Sequence, residues 1–381
     1  MSESRRLVVY TDAQGSGLGW VTRELTDSLR SIGFEITLIA PRQPLEPKAS
    51  QRFFIFTPGG NGLWRRMTSR IFHILQAGSY VGGCCSDRVP LLMIHLSTPI
   101  PITMLPGISA RLRGARIFLN LHDFYPHTSR YPKVLRWLER YFYRWSYRRF
   151  DQIFALNEAQ RQRLIREARV AADRVTIVNH GVFVAPDAER PAARGETTRL
   201  LLFGSLRPNK RIRESISAIQ DLVSAGVAVS LTIAGAARHE DGMYWTQCRS
   251  MVGKGDAIHL LDRFISQEEI PRLLTDCDAM LCPYDNFDSQ SGVALLALSN
   301  GVPLISTRSG AISAPERLGA AWQEVMSPVT AEGVAAAVKA FIARRETAAT
   351  VALQNREWIS QEYSWSQAAA TIADVISRGQ S

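Results

Sequence analysis

Residues 202–213, Leu-Phe-Gly-Ser-Leu-Arg-Pro-Asn-Lys-Arg-Ile-Arg, constrain the fold more than any other stretch of the chain: an apolar strand, a glycine turn, two cations three apart, then a helix. A strand that feeds directly into a helix in this way belongs in a parallel sheet with crossover helices. The same segment makes a cradle for a diphosphate. Gly204 lets the backbone turn tightly and approach a ligand. Arg207 and Lys210 reach phosphate oxygens, and the helix offers its free N–H groups and positive dipole end. In isolation the pattern reads first as an ordinary strand-to-helix connection with solvated cations.

It does not stand in isolation. Residues 283–298, Pro-Tyr-Asp-Asn-Phe-Asp-Ser-Gln-Ser-Gly-Val-Ala-Leu-Leu-Ala-Leu, are followed by Ser299-Asn300-Gly301-Val302-Pro303 and the apolar Leu304-Ile305. This reads as a strand end, a polar loop, an apolar helix opened by Ser291 and Gly292, a turn and another buried strand. Ser291 either caps the helix or turns its hydroxyl to a phosphate. Gly292 removes the side chain that would block approach to the first amides.

In this order and spacing the two segments resemble the nucleotide-sugar half of GT-B glycosyltransferases of the group 1, family 4-like type, in the subset with Arg-Pro-x-Lys and Gln-Ser-Gly-Val loops. The resemblance extends over nearly the whole chain. Strand Leu7 to Tyr10, the loop Gly15-Ser16-Gly17-Leu18-Gly19, a helix to Ser31 and Gly33-Phe34-Glu35-Ile36-Thr37-Leu38-Ile39 look like the family's first strand, glycine loop, helix and second strand. His122-Asp123-Phe124-Tyr125-Pro126-His127, Asp151-Gln152-Ile153, His180-Gly181-Val182 and Tyr363-Ser364-Trp365 fall where the family has corresponding elements. The fold this implies is α/β, two Rossmann-like doubly wound domains facing across a cleft. The implied substrate is a nucleotide diphosphate sugar, with no further cofactor.

The resemblance assigns donor binding to Gly204, Arg207, Lys210, Asp288, Ser291, Gly292 and Val293, and an acceptor or phosphate loop to Gly17 and Gly19. His122, at a strand end, is the candidate for contacting the transferred sugar or moving a proton; Asp123 serves as general base if the reaction inverts, or orients the histidine if it retains. A histidine in such a place is also often a structural donor. His180 and Arg263 are further candidates. One departure stands out. Many relatives carry two glutamates separated by seven residues, the second binding the donor ribose; here those positions are Asp288 and Leu296, and a leucine accepts no hydrogen bond.

Apolar content of 46% and charged content of 21% in 381 residues fit two globular domains. The polar, proline-bearing stretch 186–197 is the expected linker. It separates a first domain (1–185) from a nucleotide-sugar domain (198–350), with a closing helix from 351 that returns to the first domain. Five cysteines, an odd number without a Cys-x-x-Cys pair, argue for free thiols and a reducing cytoplasm. No N-terminal stretch has the form of a secretion signal, and Pro90 to Ile108 is too broken by prolines to span a membrane. Asp276-Cys277-Asp278 has the form of an Asp-x-Asp metal motif, but it reads as a helix end before a buried strand, and no metal is expected there.

Charge is uneven. Residues 1–190 hold 27 Lys+Arg against 15 Asp+Glu, and residues 191–381 hold 18 against 20. Arg136, Arg140, Arg144 and Arg148 recur every four residues among Leu138, Tyr141, Phe142 and Trp145, and Trp64 to Phe72 has a similar character. Such helices suit an anionic membrane surface, and equally a domain helix whose aromatic face is core. No nucleic-acid motif is present. The expected activity is metal-independent transfer of a sugar to an acceptor hydroxyl, such as that of a polyprenyl diphosphate-linked glycan, by a cytoplasmic or peripherally attached protein. The alternatives are a GT-B-shaped sugar-nucleotide epimerase and a catalytically inactive membrane-associated binder.

Overall fold

The computed structural model describes residues 5–12, 16–41, 50–54, 63–95, 104–125, 136–182, 195–238, 241–253, 255–285, 287, 289–308 and 315–378. The chain divides into two compact units, 1–181 with 363–381, and 182–362.

The first unit alternates strand and helix: β1 (Arg5–Thr11), α1 (Ser16–Ser31), β2 (Phe34–Ala40), β3 (Gln51–Phe54), α2 (Leu63–Cys84), β4 (Leu91–Ile94), α3 (Leu105–Leu112), β5 (Ile117–Leu121), α4 (Arg136–Tyr147), β6 (Gln152–Ala155), α5 (Glu158–Arg166) and β7 (Val175–Ile177). The strands form one parallel sheet ordered β3-β2-β1-β4-β5-β6-β7. Leu7 to Tyr10 and Ile117 to Leu121 are buried on both faces, so they read as near-continuous apolar runs, with Asn120 the single polar residue, and not as alternations. On one face α2, α3, α4 and α5 contribute Ala77, Val81, Ala110, Tyr143, Tyr147 and Leu164 to a single core. On the other, Leu25 and Leu29 of α1 pack with Ala369, Ile372 and Ile376 near the chain's end.

The second unit holds β8 (Thr198–Phe203), α6 (Ile212–Ser224), β9 (Val229–Gly235), α7 (Gly242–Met251), β10 (Ile258–Asp262), α8 (Ile270–Asp276), β11 (Ala279–Cys282), α9 (Gly292–Ser299), β12 (Leu304–Ser306), β13 (Trp322–Glu324), α10 (Ala331–Ile342) and α11 (Arg345–Glu362). Its sheet is also parallel, ordered β10-β9-β8-β11-β12-β13. In each unit the strand order reverses once, at β1/β4 and at β8/β11. A doubly wound sheet leaves a crevice outside the carboxyl ends of the strands at that reversal.

Three boundaries differ from the sequence reading. The glycine loop is shorter than expected: α1 begins at Ser16, so Gly17 and Gly19 lie in its first turns and not in the preceding loop. The helix expected from Gln267 begins at Ile270, where Pro271 suits a first-turn position because its missing N–H has no partner there anyway. The closing element is two helices. α11 runs to Glu362 and belongs to the second unit, so the return to the first unit falls at Tyr363 and not near Val351. Ser364 then caps α12 (Trp365–Ser377), accepting from the Gln367 amide at 3.1 Å. Of the expected linker, residues 186–194 lie outside the described residues.

Candidate functional site

The second unit brings the two sequence segments together at the β8/β11 reversal. β8 ends at Phe203, and Gly204 turns the chain with φ +97°, a left-handed region that favours glycine. A side chain there would meet Lys210 Nζ at 3.0 Å and Val293 Cγ2 at 3.3 Å. Gly204, Lys210 and Val293 are therefore immediate neighbours. On the far side the Gly204 carbonyl presses against Gly235, which has φ +149° and no room for a Cβ: one would lie 1.9 Å from that oxygen. The sequence reading missed Gly235; its position at the end of a strand in the same sheet was the available signal.

After Gly204 a short 3₁₀ turn, Pro208–Lys210, aims Lys210 back under the strand. Its ammonium is buried, donates to the Phe203 carbonyl and lies 5.4 Å from the centre of the Tyr284 ring. Burial, with the nearby Arg207 charge adding to it, pushes the Lys210 pKa down to about 7. Tyr284 in turn hydrogen-bonds Cys282 and Ser291. Two bonds tie the segments: the Asp285 amide donates to the Asn209 carbonyl at 2.9 Å, and Arg211 pairs with both Asp285 and Glu214. Ser291 is the N-cap of α9, accepting from the Ala294 amide at 3.2 Å, with Gly292 as the first helical residue. The result is that a buried lysine and the first turn of α9 lie together at the β8/β11 reversal, with Arg207 near enough to act on Lys210, groups of the kind that bind anions.

Not every expected residue joins this group. Asp288 lies outside the described residues. Arg263 follows the edge strand β10 and is forked onto Glu269 at 2.9 Å and 2.5 Å. Leu296 is buried in α9 and offers no hydrogen-bond acceptor. Asp278 is held by the Arg199 amide at 2.7 Å and Asp276 lies 3.6 Å from Arg272. Among the described residues no group of three His, Cys, Asp or Glu side chains is arranged to hold a metal ion.

In the first unit His122 follows β5, and its ring lies 5.8 Å from that of His180 and 6.3 Å from that of His95, which follows β4. Burial drives the His122 pKa down to about 3, assisted by His180 and His95 and opposed by Asp123. Burial likewise lowers His180 to about 4, against a 2.6 Å contact of its Nδ1 with the Gly181 carbonyl. Both imidazoles are neutral at pH 7. Trp365 explains the glycine that follows His180: its ring packs tilted against His180, centroids 5.0 Å apart, and a Cβ on Gly181 would fall 2.2 Å from Trp365 Cδ2. His122 is further held by Gln160, which donates to the His122 carbonyl at 2.8 Å while accepting from the Leu156 amide at 2.9 Å. Neither His95 nor Gln160 was evident from the sequence. Gln160 reads there as a routine third helical residue after the cap Asn157.

The glycosyltransferase family 4 model matches residues 15–185, and the model for glycosyl transferases group 1 matches residues 197–344. The glycogen synthase of Mycobacterium tuberculosis is 23% identical over 236 residues, which is 61% of this chain and 55% of the relative's length. The Anabaena protein HepE, crystallised with UDP and glucose, superposes with a TM-score of 0.73 at 14% identity over 98% of this chain and all of that one. WaaG, a glycosyltransferase involved in lipopolysaccharide biosynthesis, gives 0.72 at 14% identity over 98% and 100%. These two likenesses speak to the fold.

Proposed function

Because the chain belongs to the GT-B glycosyltransferases of group 1 and family 4 type, we propose that it transfers a sugar from a nucleotide diphosphate sugar to an acceptor hydroxyl. One observation carries the reading: the Asp285–Asn209 bond holds the Lys210 turn and the α9 N-terminus in one crevice. As the sugar–diphosphate bond lengthens, negative charge builds on the departing phosphate. Arg207, Lys210 and the amides opened by Ser291 and Gly292 stabilise that charge more in the transition state than in the ground state. Fixed protein cations fill the role here, so turnover is expected without added divalent metal.

His122 and Asp123 are the candidates in the first unit for handling a sugar hydroxyl. A histidine as strongly depressed as His122 is a weak base, so its role is to hydrogen-bond as a neutral ring. The HepE complexes make UDP-glucose the first donor to test, and WaaG's part in lipopolysaccharide biosynthesis favours an acceptor on a lipid-linked or surface glycan. A catalytically inactive sugar-nucleotide binder is the second reading, favoured by Leu296.

The deciding experiment is release of nucleoside diphosphate from a panel of donors, with and without a polyprenyl diphosphate-linked glycan. Acceptor-dependent release supports transfer. Tight donor binding with no release under any acceptor supports the inactive binder.

A further inference from the structure

The outward side of α4 is unusual for a domain helix. Its inward side, Tyr143, Ser146 and Tyr147, is core. Trp137 and Tyr141, one helical turn apart, are 68% and 55% exposed, and Trp137 lines an open concavity of about 360 Å³ together with Arg136, Arg140 and Arg144. The Arg140 guanidinium stands 5.6 Å over the Tyr125 ring, and Arg144 donates to the Tyr125 hydroxyl at 3.1 Å, with Glu167 3.9 Å away. Among the described residues neither Arg136 nor Arg140 is paired with a carboxylate.

A second stripe lies in the same layer. α2 and α3 pack against each other, and both share with α4 the core on one face of the seven-stranded sheet. On α2, Phe72 and Leu75 are 51% and 52% exposed beside Ile71, and on α3 Ile108 is exposed as well. Each side chain exposes apolar area that the core did not take. The cationic surplus of the chain falls in the same half, 27 Lys+Arg against 15 Asp+Glu in residues 1–190.

We propose that this layer, with α4 as its cationic centre, is the face by which the chain lies on an anionic lipid bilayer. Arg136 and Arg140 meet headgroup phosphates, Trp137 and Tyr141 sit at the headgroup level where an amphipathic ring is stable, and Phe72 and Leu75 enter the acyl boundary. The contact is peripheral, since among the described residues no helix is long and apolar enough to cross a membrane. A bilayer suits this surface better than nucleic acid does, because exposed apolar side chains spread over three helices gain nothing from a phosphate backbone alone. The inference deepens the lipid-linked acceptor reading, yet its test does not depend on turnover.

That test is co-sedimentation of the full chain with phosphatidylcholine vesicles and with phosphatidylcholine–phosphatidylglycerol vesicles. Wild type is expected to pellet with the anionic vesicles and to be released by salt. The Arg136→Gln/Arg140→Gln pair should partition about thirtyfold more weakly, from roughly fivefold for each cation. Arg136→Lys/Arg140→Lys should bind as wild type, and Trp137→Ser/Tyr141→Ser should lose at least about tenfold through the lost apolar contact. All four side chains are exposed and Arg140 gives up only its contact with the Tyr125 ring, so thermal unfolding should stay close to wild type and turnover on a water-soluble acceptor should be unchanged. Wild type remaining in the supernatant with both vesicle types, equal pelleting with neutral and anionic vesicles, or undiminished binding of the glutamine pair would each overturn the proposal.

Discussion

The amide of Asp285 donates to the carbonyl of Asn209 at 2.9 Å, and the Arg211 side chain, 74 residues earlier in the chain than its partner, closes an ion pair onto the same aspartate. Two loops distant in sequence thereby become one rigid rim around Lys210. Fixed charges stabilise a transition state only if they need not reorganise to do so.

Lys210→Ala should lower turnover by at least about tenfold, the size of one lost charge-assisted contact. Steady-state release of nucleoside diphosphate measures it. Wild-type rates in this variant would remove Lys210 from the donor site.

Donor binding should depend on pH through the same residue. Lys210 has a pKa of about 7 in the free protein, and the negative charge of a bound diphosphate is expected to raise it. Below pH 7 the ammonium is charged in both states and affinity is flat. Above it, binding takes up a proton and affinity falls by up to about tenfold per pH unit. Calorimetry at pH 8 in buffers of different ionisation enthalpy should show proton uptake with nucleoside diphosphate, absent in Lys210→Met.

Gly235→Ala should damage the donor crevice from behind, because the new Cβ would have to displace the Gly204 carbonyl. Strain of about 2 kcal/mol or more is expected. Chemical denaturation should report that loss together with weakened donor binding.

Gly181→Ala should destabilise the first unit by about 1–3 kcal/mol, since the Trp365 ring occupies the space that the methyl group needs. Gly181→Ala combined with Trp365→Leu should recover part of the loss. No recovery in denaturant titration would mean the clash is not with Trp365.

The first unit should lose stability as pH falls. His122 and His180 have native pKa values of about 3 and about 4, below the unfolded value near 6.5. Below pH 6.5 the unfolded chain therefore takes up protons that the native chain refuses, and stability declines until the native pKa values are reached. At pH 5.5 the expected penalty is about 1.4 kcal/mol for each histidine. Thermal unfolding from pH 7 to 4.5 should show the fall, and His180→Asn should reduce its slope.

Much of the fold could be read directly from residue pattern. Strands such as Leu7 to Tyr10 are apolar throughout because parallel strands are buried on both faces, and Gly204 marked its own turn because few other residues adopt that φ. Helix ends were less legible. The start of α1 at Ser16 was hidden by the glycines around it, and the break at Tyr363 carries no glycine or proline, its one local mark being the cap Ser364.

The sequence by itself determined the element order, the doubly wound class and the residue types of a diphosphate cradle, because these follow from local periodicity and side-chain chemistry. Only the tertiary structure decided which groups meet: Lys210 beneath Tyr284, Gly235 behind Gly204, Trp365 on Gly181, Trp137 outward on α4. The first three are contacts between segments far apart along the chain, and the last is the absence of one. Sheet order and burial set them, and no local pattern carries that information.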